Sequence, residues 1–124
     1  MKFLLYITAT LLILPAYVQA EWEEINEGTR YITYIDPESL EMNSDGNFIW
    51  ALFDFRERQK EGYHSAKVLF QVDCANQKYK VLSANTFAEP MADGRSGAPK
   101  RSEVWEPAVP NSIGEHATSY VCSD

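Results

Sequence analysis

The stretch HSAKVLFQVDC, residues 64–74, decides the fold. Its even-numbered positions from 66 to 74 are all apolar, while its odd-numbered positions are mostly polar, with Leu69 as the exception. This alternation with a period of two predicts a β-strand with one buried face. The strand ends on Cys74, one of two cysteines in the chain, and the other is Cys122 near the C-terminus. A bond between them would fasten the end of the chain to this strand.

The first 20 residues are typical of a secretory signal peptide. Lys2 supplies a basic start, residues 3–14 are almost wholly apolar, and Val18-Gln19-Ala20 supplies the small residues that a signal peptidase requires. The alternative is a retained N-terminal anchor, although the apolar run is short for a bilayer. We therefore expect residues 1–20 to be removed and residues 21–124 to form one small domain.

The chain carries 11 basic and 18 acidic residues, and loss of Lys2 would make the mature domain still more acidic. We expect no nucleic-acid partner, because phosphates require a basic surface. Two cysteines in an exported chain most simply form one disulfide. The two cysteines lie 122 − 74 = 48 positions apart. For a disulfide that closes a loop of this length, the chain-entropy model gives at most about 4 kcal/mol of stabilisation. Since no lipidation cysteine follows the apolar run, we expect the protein in the periplasm or on the outer cell surface.

Four other segments have the composition of strands, namely residues 21–27, 30–36, 47–57 and 78–89. The segment 47–57 is apolar on both faces over most of its length, which is typical of a central strand that is covered on both sides. One cover would be a helix, and the other would be a second layer, a loop or another subunit. A homodimer is therefore one expectation.

Two helical starts are predicted from capping residues. Asp36 before Pro37 predicts a single helical turn, because Asp is a favoured N-cap and Pro a favoured first helical residue. Ser112, with Glu115 three residues later, predicts a capping box at the start of a helix that runs from about Ser112 to Cys122.

The chain after Cys74 predicts a strand and then a loop. On the strand, Tyr79 and Phe87 are expected on one face and Ala84 on the other, from simple alternation. Residues 90–101 contain four helix- and strand-breaking residues and no periodicity, so they predict a mobile loop. Trp105 is expected to return the chain to the core.

No stretch carries a catalytic or metal-binding motif. His64 and Ser65, with Asp54 or Asp73, are residue types of a serine hydrolase, but no Gly-x-Ser-x-Gly elbow surrounds Ser65. Neighbouring residues on a strand also point to opposite faces. With both cysteines in a disulfide, two histidines give no ligand cluster at zinc spacing. We expect a protein with no catalytic residues, no metal and no cofactor.

Asp54 is unusual because it lies on an otherwise apolar strand and faces the same way as Trp50 and Leu52. A carboxylate in that position is costly unless it is paired. A salt bridge to an arginine or lysine is the favoured explanation, and a ligand contact is the alternative.

The order of several short motifs along the chain resembles the surface-adhesin protein E-like family of Gram-negative bacteria. The resemblance rests on Trp22, Tyr34-Ile35-Asp36, Ser39-Leu40, Trp50, Asp54, Ser65-Ala66-Lys67, Asp73-Cys74, Gly94, Trp105, Pro110, Ser112 and Val121-Cys122. It implies a curved antiparallel sheet with a C-terminal helix tied to it by a disulfide. Through the best-studied members, it also implies a dimeric surface protein that binds host extracellular-matrix and serum proteins. The matching residues themselves are of structural types.

Together these patterns predict an α+β domain, with an antiparallel sheet of five or six strands and a C-terminal helix packed on it and tied by one disulfide. The leading function hypothesis is an exported, non-enzymatic, adhesin-like protein whose partner is a protein, such as a host matrix or serum protein. The alternative is a periplasmic inhibitor or envelope-maintenance protein with a bacterial protein partner.

Overall fold

The computed structural model describes residues 21–123, so the predicted signal peptide lies outside the described residues. The described elements are β1 (Glu23–Glu27), β2 (Tyr31–Ile35), a 3-10 turn (Pro37–Ser39), β3 (Glu41–Asn43), β4 (Gly46–Phe55), β5 (Ser65–Asp73), β6 (Lys78–Glu89), a second 3-10 turn (Pro90–Ala92), β7 (Asp93–Ser96), β8 (Glu106–Pro107) and α1 (Glu115–Cys122). Within this part of the chain, the eight strands form one antiparallel sheet. Six follow one another in the order β1-β2-β4-β5-β6-β7, while β3 pairs with β4 and β8 pairs with β6. The predicted α+β fold is confirmed.

The strand predicted from residues 64–74 is β5, and its even-numbered side chains are buried as expected. Its neighbour β4 lies between β2 and β5, in the middle of the sheet. Ile49, Ala51 and Phe53 on β4 have no exposed surface and form the centre of the hydrophobic core. The prediction of a central strand is therefore confirmed.

The sheet has two distinct faces, because residues paired across antiparallel strands point to the same side. Ala51 pairs with Val68 on one side, and Leu52 pairs with Lys67 on the other. The helix α1 covers only the first side, where Ala117 belongs to the same core cluster as Ala51 and Val68. We call the side that carries α1 the helix face and the opposite side the outer face.

A disulfide between Cys74 and Cys122 ties α1 to the end of β5 and closes a separation of 48 positions. The predicted pairing is therefore confirmed. The helix contributes Val121 to the core, directly beside the bond. Within residues 21–123, no helix is long and apolar enough to cross a membrane.

The predicted capping box is wrong. The helix begins at Glu115 with Gly114 as the N-cap residue, and the Ser112 hydroxyl donates to the Val109 carbonyl at 2.6 Å instead of capping. The reason is tertiary: a Cβ on Gly114 would lie 2.4 Å from the Tyr79 ring, so the chain meets the sheet at Gly114. The Glu115 carboxylate still reaches back, and it accepts from the Asn111 backbone N–H at 2.9 Å.

A β-bulge changes which side chains of β6 share a face. The pairing of β5 with β6 shifts between Leu69 and Phe70. As a result Ala84 lies on the helix face with Tyr79, while Phe87 lies on the outer face. The expectation from simple alternation is wrong, because the extra residue of a bulge inverts the side-chain pattern beyond it.

Residues 90–101 form paired structure instead of an unpaired loop. After the second 3-10 turn, β7 pairs with β6, and the Lys100 N–H and carbonyl bond the Ala84 backbone at 2.9 and 2.7 Å. The long edge of β6 would otherwise expose unpaired N–H and C=O groups. Backbone pairing of this kind needs no apolar periodicity, which explains why the segment looked like a loop.

Candidate functional site

Asp54 and Ser65, which lie opposite each other on β4 and β5, together hold the second 3-10 turn. The Asp54 carboxylate accepts from the Met91 N–H at 3.1 Å. The Ser65 hydroxyl donates to the Glu89 carbonyl at 2.7 Å and accepts from the Ala92 N–H at 2.9 Å. The predicted salt bridge of Asp54 is wrong, because the Met91 backbone N–H is its partner.

The turn needs this support because its backbone is strained. Met91 has φ of 58° and Ala92 has φ of 59°, in the left-handed region that non-glycine residues rarely adopt. Each such residue costs on the order of 1–3 kcal/mol and persists only where surrounding contacts enforce it. The hydrogen bonds from Asp54 and Ser65 are such contacts, and they direct the chain from the end of β6 into β7.

The arrangement around Ser65 does not suit nucleophilic catalysis. Its side chain has no exposed surface, and its hydroxyl proton is donated to a backbone carbonyl. A serine nucleophile needs an accessible hydroxyl that is hydrogen-bonded to a base. Among residues 21–123, no group of three His, Cys, Asp or Glu side chains is placed to hold a metal ion.

A depression on the helix face lies beyond the part that α1 covers, and we call it the sheet cleft. Its volume is about 490 Å³, and its floor is made of short side chains from β5 and β6, namely Ala66, Val68, Ala84 and Thr86. One wall is formed by Phe55 and Tyr63, whose rings meet edge to face at 5.6 Å. Ile113, which precedes α1 and is 39% exposed, closes the end nearest the helix.

The opposite wall of the sheet cleft is the segment from β7 to Lys100. Gly97 in this segment presses against β6, since a Cβ there would lie 2.7 Å from the Thr86 hydroxyl oxygen. The Gly97 N–H also donates to the Thr86 carbonyl at 2.8 Å. A larger residue at Gly97 would push this wall away from the floor, so the glycine sets the position of the wall.

The rim of the sheet cleft carries more positive than negative charge. Arg95 and Lys100 line one side and are exposed, while Glu61 on the other side is the acidic lining residue. In the part of the chain that the structure describes, neither Arg95 nor Lys100 has a carboxylate oxygen within 4.0 Å. Burial, and then the Glu61 carboxylate, raise the pKa of the Tyr63 hydroxyl, while Arg30 lowers it.

The outer face offers a second apolar surface. Leu52 at its centre has no exposed surface, and Trp50 and Leu69, which pair with each other beside it, are half-buried. The Lys67 ammonium lies 4.7 Å from the centre of the Trp50 ring, a cation–π contact. Burial, and then the nearby Asp54, raise the pKa of the Tyr34 hydroxyl on this face.

Three of the predicted family-motif residues have local structural surroundings. Trp22 is half-buried one residue before β1. The Asp36 carboxylate accepts from the Glu38 N–H at 3.1 Å and caps the first 3-10 turn, as predicted. The backbone of Trp50 accepts from the Asp36 N–H at 3.0 Å and donates to the Ser39 hydroxyl at 3.0 Å, which attaches that turn to β4.

The other motif residues lie apart from the sheet cleft. Trp105 does not enter the core: it is 37% exposed, and the Lys80 ammonium lies 4.6 Å from its ring centre. Lys80 pairs with Gln71 on the outer face, so the tryptophan packs on a lysine side chain on the side of the sheet opposite α1. Pro110 is exposed, and Ser112 forms the turn before α1.

Sequence reasoning missed the positively charged rim of the sheet cleft. The sequence predicts a loop for the segment that contains Arg95 and Lys100, because it has no apolar alternation. The run of short side chains on the helix face, Ala66, Ala84 and Ala88, was a usable signal. A strand face lined by alanine leaves room for another molecule where leucine or phenylalanine would fill the space.

Residues 22–123 match the family model described as surface-adhesin protein E. The fold is similar to that of crystal form II of Haemophilus influenzae protein E, with a TM-score of 0.62 and 18% identity over 87% of this chain and 91% of that one. A structure of protein E from non-typeable Haemophilus influenzae matches with a TM-score of 0.57 and 19% identity, over 87% of this chain and 79% of that one. Comparison with curated proteins gives no match.

Proposed function

The chain belongs to the surface-adhesin protein E family, and from that premise we propose that it is an exported, non-enzymatic binding protein of the outer cell surface whose partner is a host matrix or serum protein. The sheet cleft is the observation that carries the proposal. Its apolar floor, aromatic wall and cationic rim are the features that protein-binding surfaces combine. The cleft lies on a rigid sheet, so its shape is present before any partner binds.

Two measurements test this function. The first is protease shaving of intact cells, followed by detection of the chain and of a periplasmic control protein. The second is binding of the purified domain, residues 21–124, to immobilised vitronectin and laminin. Removal of the chain by protease while the control survives, together with saturable binding, supports the proposal.

Survival of the chain alongside the periplasmic control would overturn the surface location. It would favour the alternative of a periplasmic inhibitor or envelope-maintenance protein with a bacterial partner. In that case, cross-linking in intact cells would identify an envelope protein, and vitronectin and laminin would not bind the purified domain.

We also propose that two copies of the domain pair through the outer face. Trp50 and Leu69 provide half-buried apolar surface there, and a second copy would remove that surface from water. Sedimentation of the domain at increasing concentration should show a dimer. A Leu69→Lys substitution should give a monomer, whereas Lys60→Glu, in the exposed connection between β4 and β5, should preserve the dimer. A monomer at every concentration of the unaltered domain would refute the pairing.

A further inference from the structure

We propose that the sheet cleft takes a short acidic segment of a protein partner, with one bulky apolar side chain seated on the floor and carboxylates facing Arg95 and Lys100. The inference rests on the proposed binding function and names the chemistry of the partner at this site. The floor, the rim and the open side of the cleft each support it.

The floor has room for one side chain of a partner protein. Ala66 and Ala84 are short residues between the larger Phe55 and Tyr63 on one wall and the β7 segment on the other. A bulky apolar side chain in this space would contact both walls and the floor at once. In many protein interfaces, a few side chains that insert into preformed pockets supply most of the binding energy.

The positively charged rim favours acidic residues next to that side chain in the partner segment. The chain as a whole has a formal charge of −7, yet Arg95 and Lys100 both line this cleft without a carboxylate within 4.0 Å among the described residues. Other described cations, such as Lys60 and Lys78, also lack a carboxylate partner, so the distinguishing feature of the cleft is that two such cations line it together. Two unpaired cations in an acidic protein favour an anionic group from outside.

The open side of the cleft favours a protein segment over a free small molecule. Small-molecule sites surround most of the ligand, whereas this cleft covers one side of an occupant and leaves the other in solvent. When a partner protein inserts one of its side chains into a cleft, only the inserted side chain needs to be enclosed. The rest of the segment would remain part of the partner's own surface.

Two variants of the domain probe the two features separately. Arg95→Glu with Lys100→Glu reverses the rim charge, and its control is Arg101→Glu, an exposed cation next to Lys100 that does not line the cleft. Ala84→Leu fills the floor. Its control is Ser83→Leu, which places the same side chain on the outer face.

The probe is a short fluorescein-labelled peptide with one leucine flanked by aspartates, and fluorescence anisotropy measures its binding to the purified domain. We expect the charge-reversal variant and Ala84→Leu each to weaken binding about tenfold or more, and added salt to weaken it as well. Arg101→Glu and Ser83→Leu should bind as the unaltered domain does. Replacing the aspartates by lysines, or the leucine by glycine, should abolish binding.

Equal binding by the charge-reversal variant and by Arg101→Glu would overturn the inference. So would binding of decanoate in the cleft without binding of the peptide, because that result would assign the site to a fatty acid. Circular dichroism of each variant checks the fold. The rim substitutions lie on exposed side chains, so they test the inference even if Ala84→Leu fails to fold.

The same variants separate failure of the inference from failure of the proposed function. If vitronectin or laminin binds the charge-reversal and Ala84→Leu variants as well as the unaltered domain, the adhesin function stands and the cleft is not its site. If neither host protein binds the unaltered domain while the acidic peptide does, the cleft chemistry stands and the proposed host partner is wrong.

Discussion

The two ends of β5 are held to the rest of the molecule by different means. At the Cys74 end, a covalent bond holds α1 against the helix face, and Tyr79, Ala117 and Val121 seal the core there. At the Ser65 end, hydrogen bonds from two side chains hold a strained turn, and the helix face is left open as the sheet cleft. We call these the sealed end and the open end of the sheet.

The difference shows how a small sheet protein divides its surface between stability and binding. The sealed end contains bulky side chains and a glycine, Gly114, that lets the chain touch the Tyr79 ring. The open end contains alanines, so part of the sheet face is left uncovered at the half-buried Ala84 and Thr86. Since eight helical residues cannot cover the whole helix face, the placement of α1 by the disulfide decides which half stays open.

The largest effect is expected from breaking the sealed end covalently. The double substitution Cys74→Ser and Cys122→Ser should lower the free energy of unfolding by up to about 4 kcal/mol, because the unfolded chain regains the entropy of an open loop. Urea denaturation measures the change, with the unaltered domain under reducing conditions as the control. Amide exchange should rise most in α1, while the turn at Ser65 keeps its protection. An unchanged urea midpoint would contradict the role assigned to the bond.

A smaller effect is expected from breaking the open end. Ser65→Ala removes the partner of the partly buried Ala92 N–H and of the Glu89 carbonyl, which should cost about 1 kcal/mol. Urea denaturation gives the loss, and hydrogen exchange should locate it to residues 89–96. Ser83→Ala is the control, since its hydroxyl contacts only Asn85 at 3.4 Å and its loss should matter little. Faster exchange in α1 than in β7 would refute the separation of the two ends.

The smallest effect is a pH dependence at the sealed end. Burial is the main cause that raises the pKa of Tyr79 above its ordinary value of 10.0. The folded domain therefore holds this proton more tightly than the unfolded chain does. The resulting stability is fully present below pH 10 and is lost as the pH rises through the raised pKa.

Urea midpoints measured from pH 8 to pH 11 should therefore fall above about pH 10. Tyr79→Phe should reduce this fall, and the remainder comes from Tyr34 and Tyr63, whose pKa values are also raised. An identical alkaline fall in Tyr79→Phe would show that Tyr79 does not contribute to it.

Most of the sealed end could be predicted from the sequence, and most of the open end could not. The period-two pattern of β5 and the two cysteines in an exported chain led directly to the strand and the bond. The sequence predicts that Asp54 needs a partner, but the predicted arginine or lysine is wrong, since the partner is the Met91 N–H. A backbone N–H from a turn far along the chain leaves no mark in residue types, because every residue except proline carries one.

By itself, the sequence determined the strands β1, β2, β4, β5 and β6, the central position of β4, the disulfide and the family, because alternation, composition and motif order are local properties of the chain. Only the tertiary structure decided the bulge that turns Ala84 to the helix face, the pairing of β7 and the start of α1 at Gly114. Those three features create the sheet cleft and depend on which backbone groups and rings meet across the sheet. Such contacts join residues distant in sequence, and no pattern within a short stretch of chain encodes them.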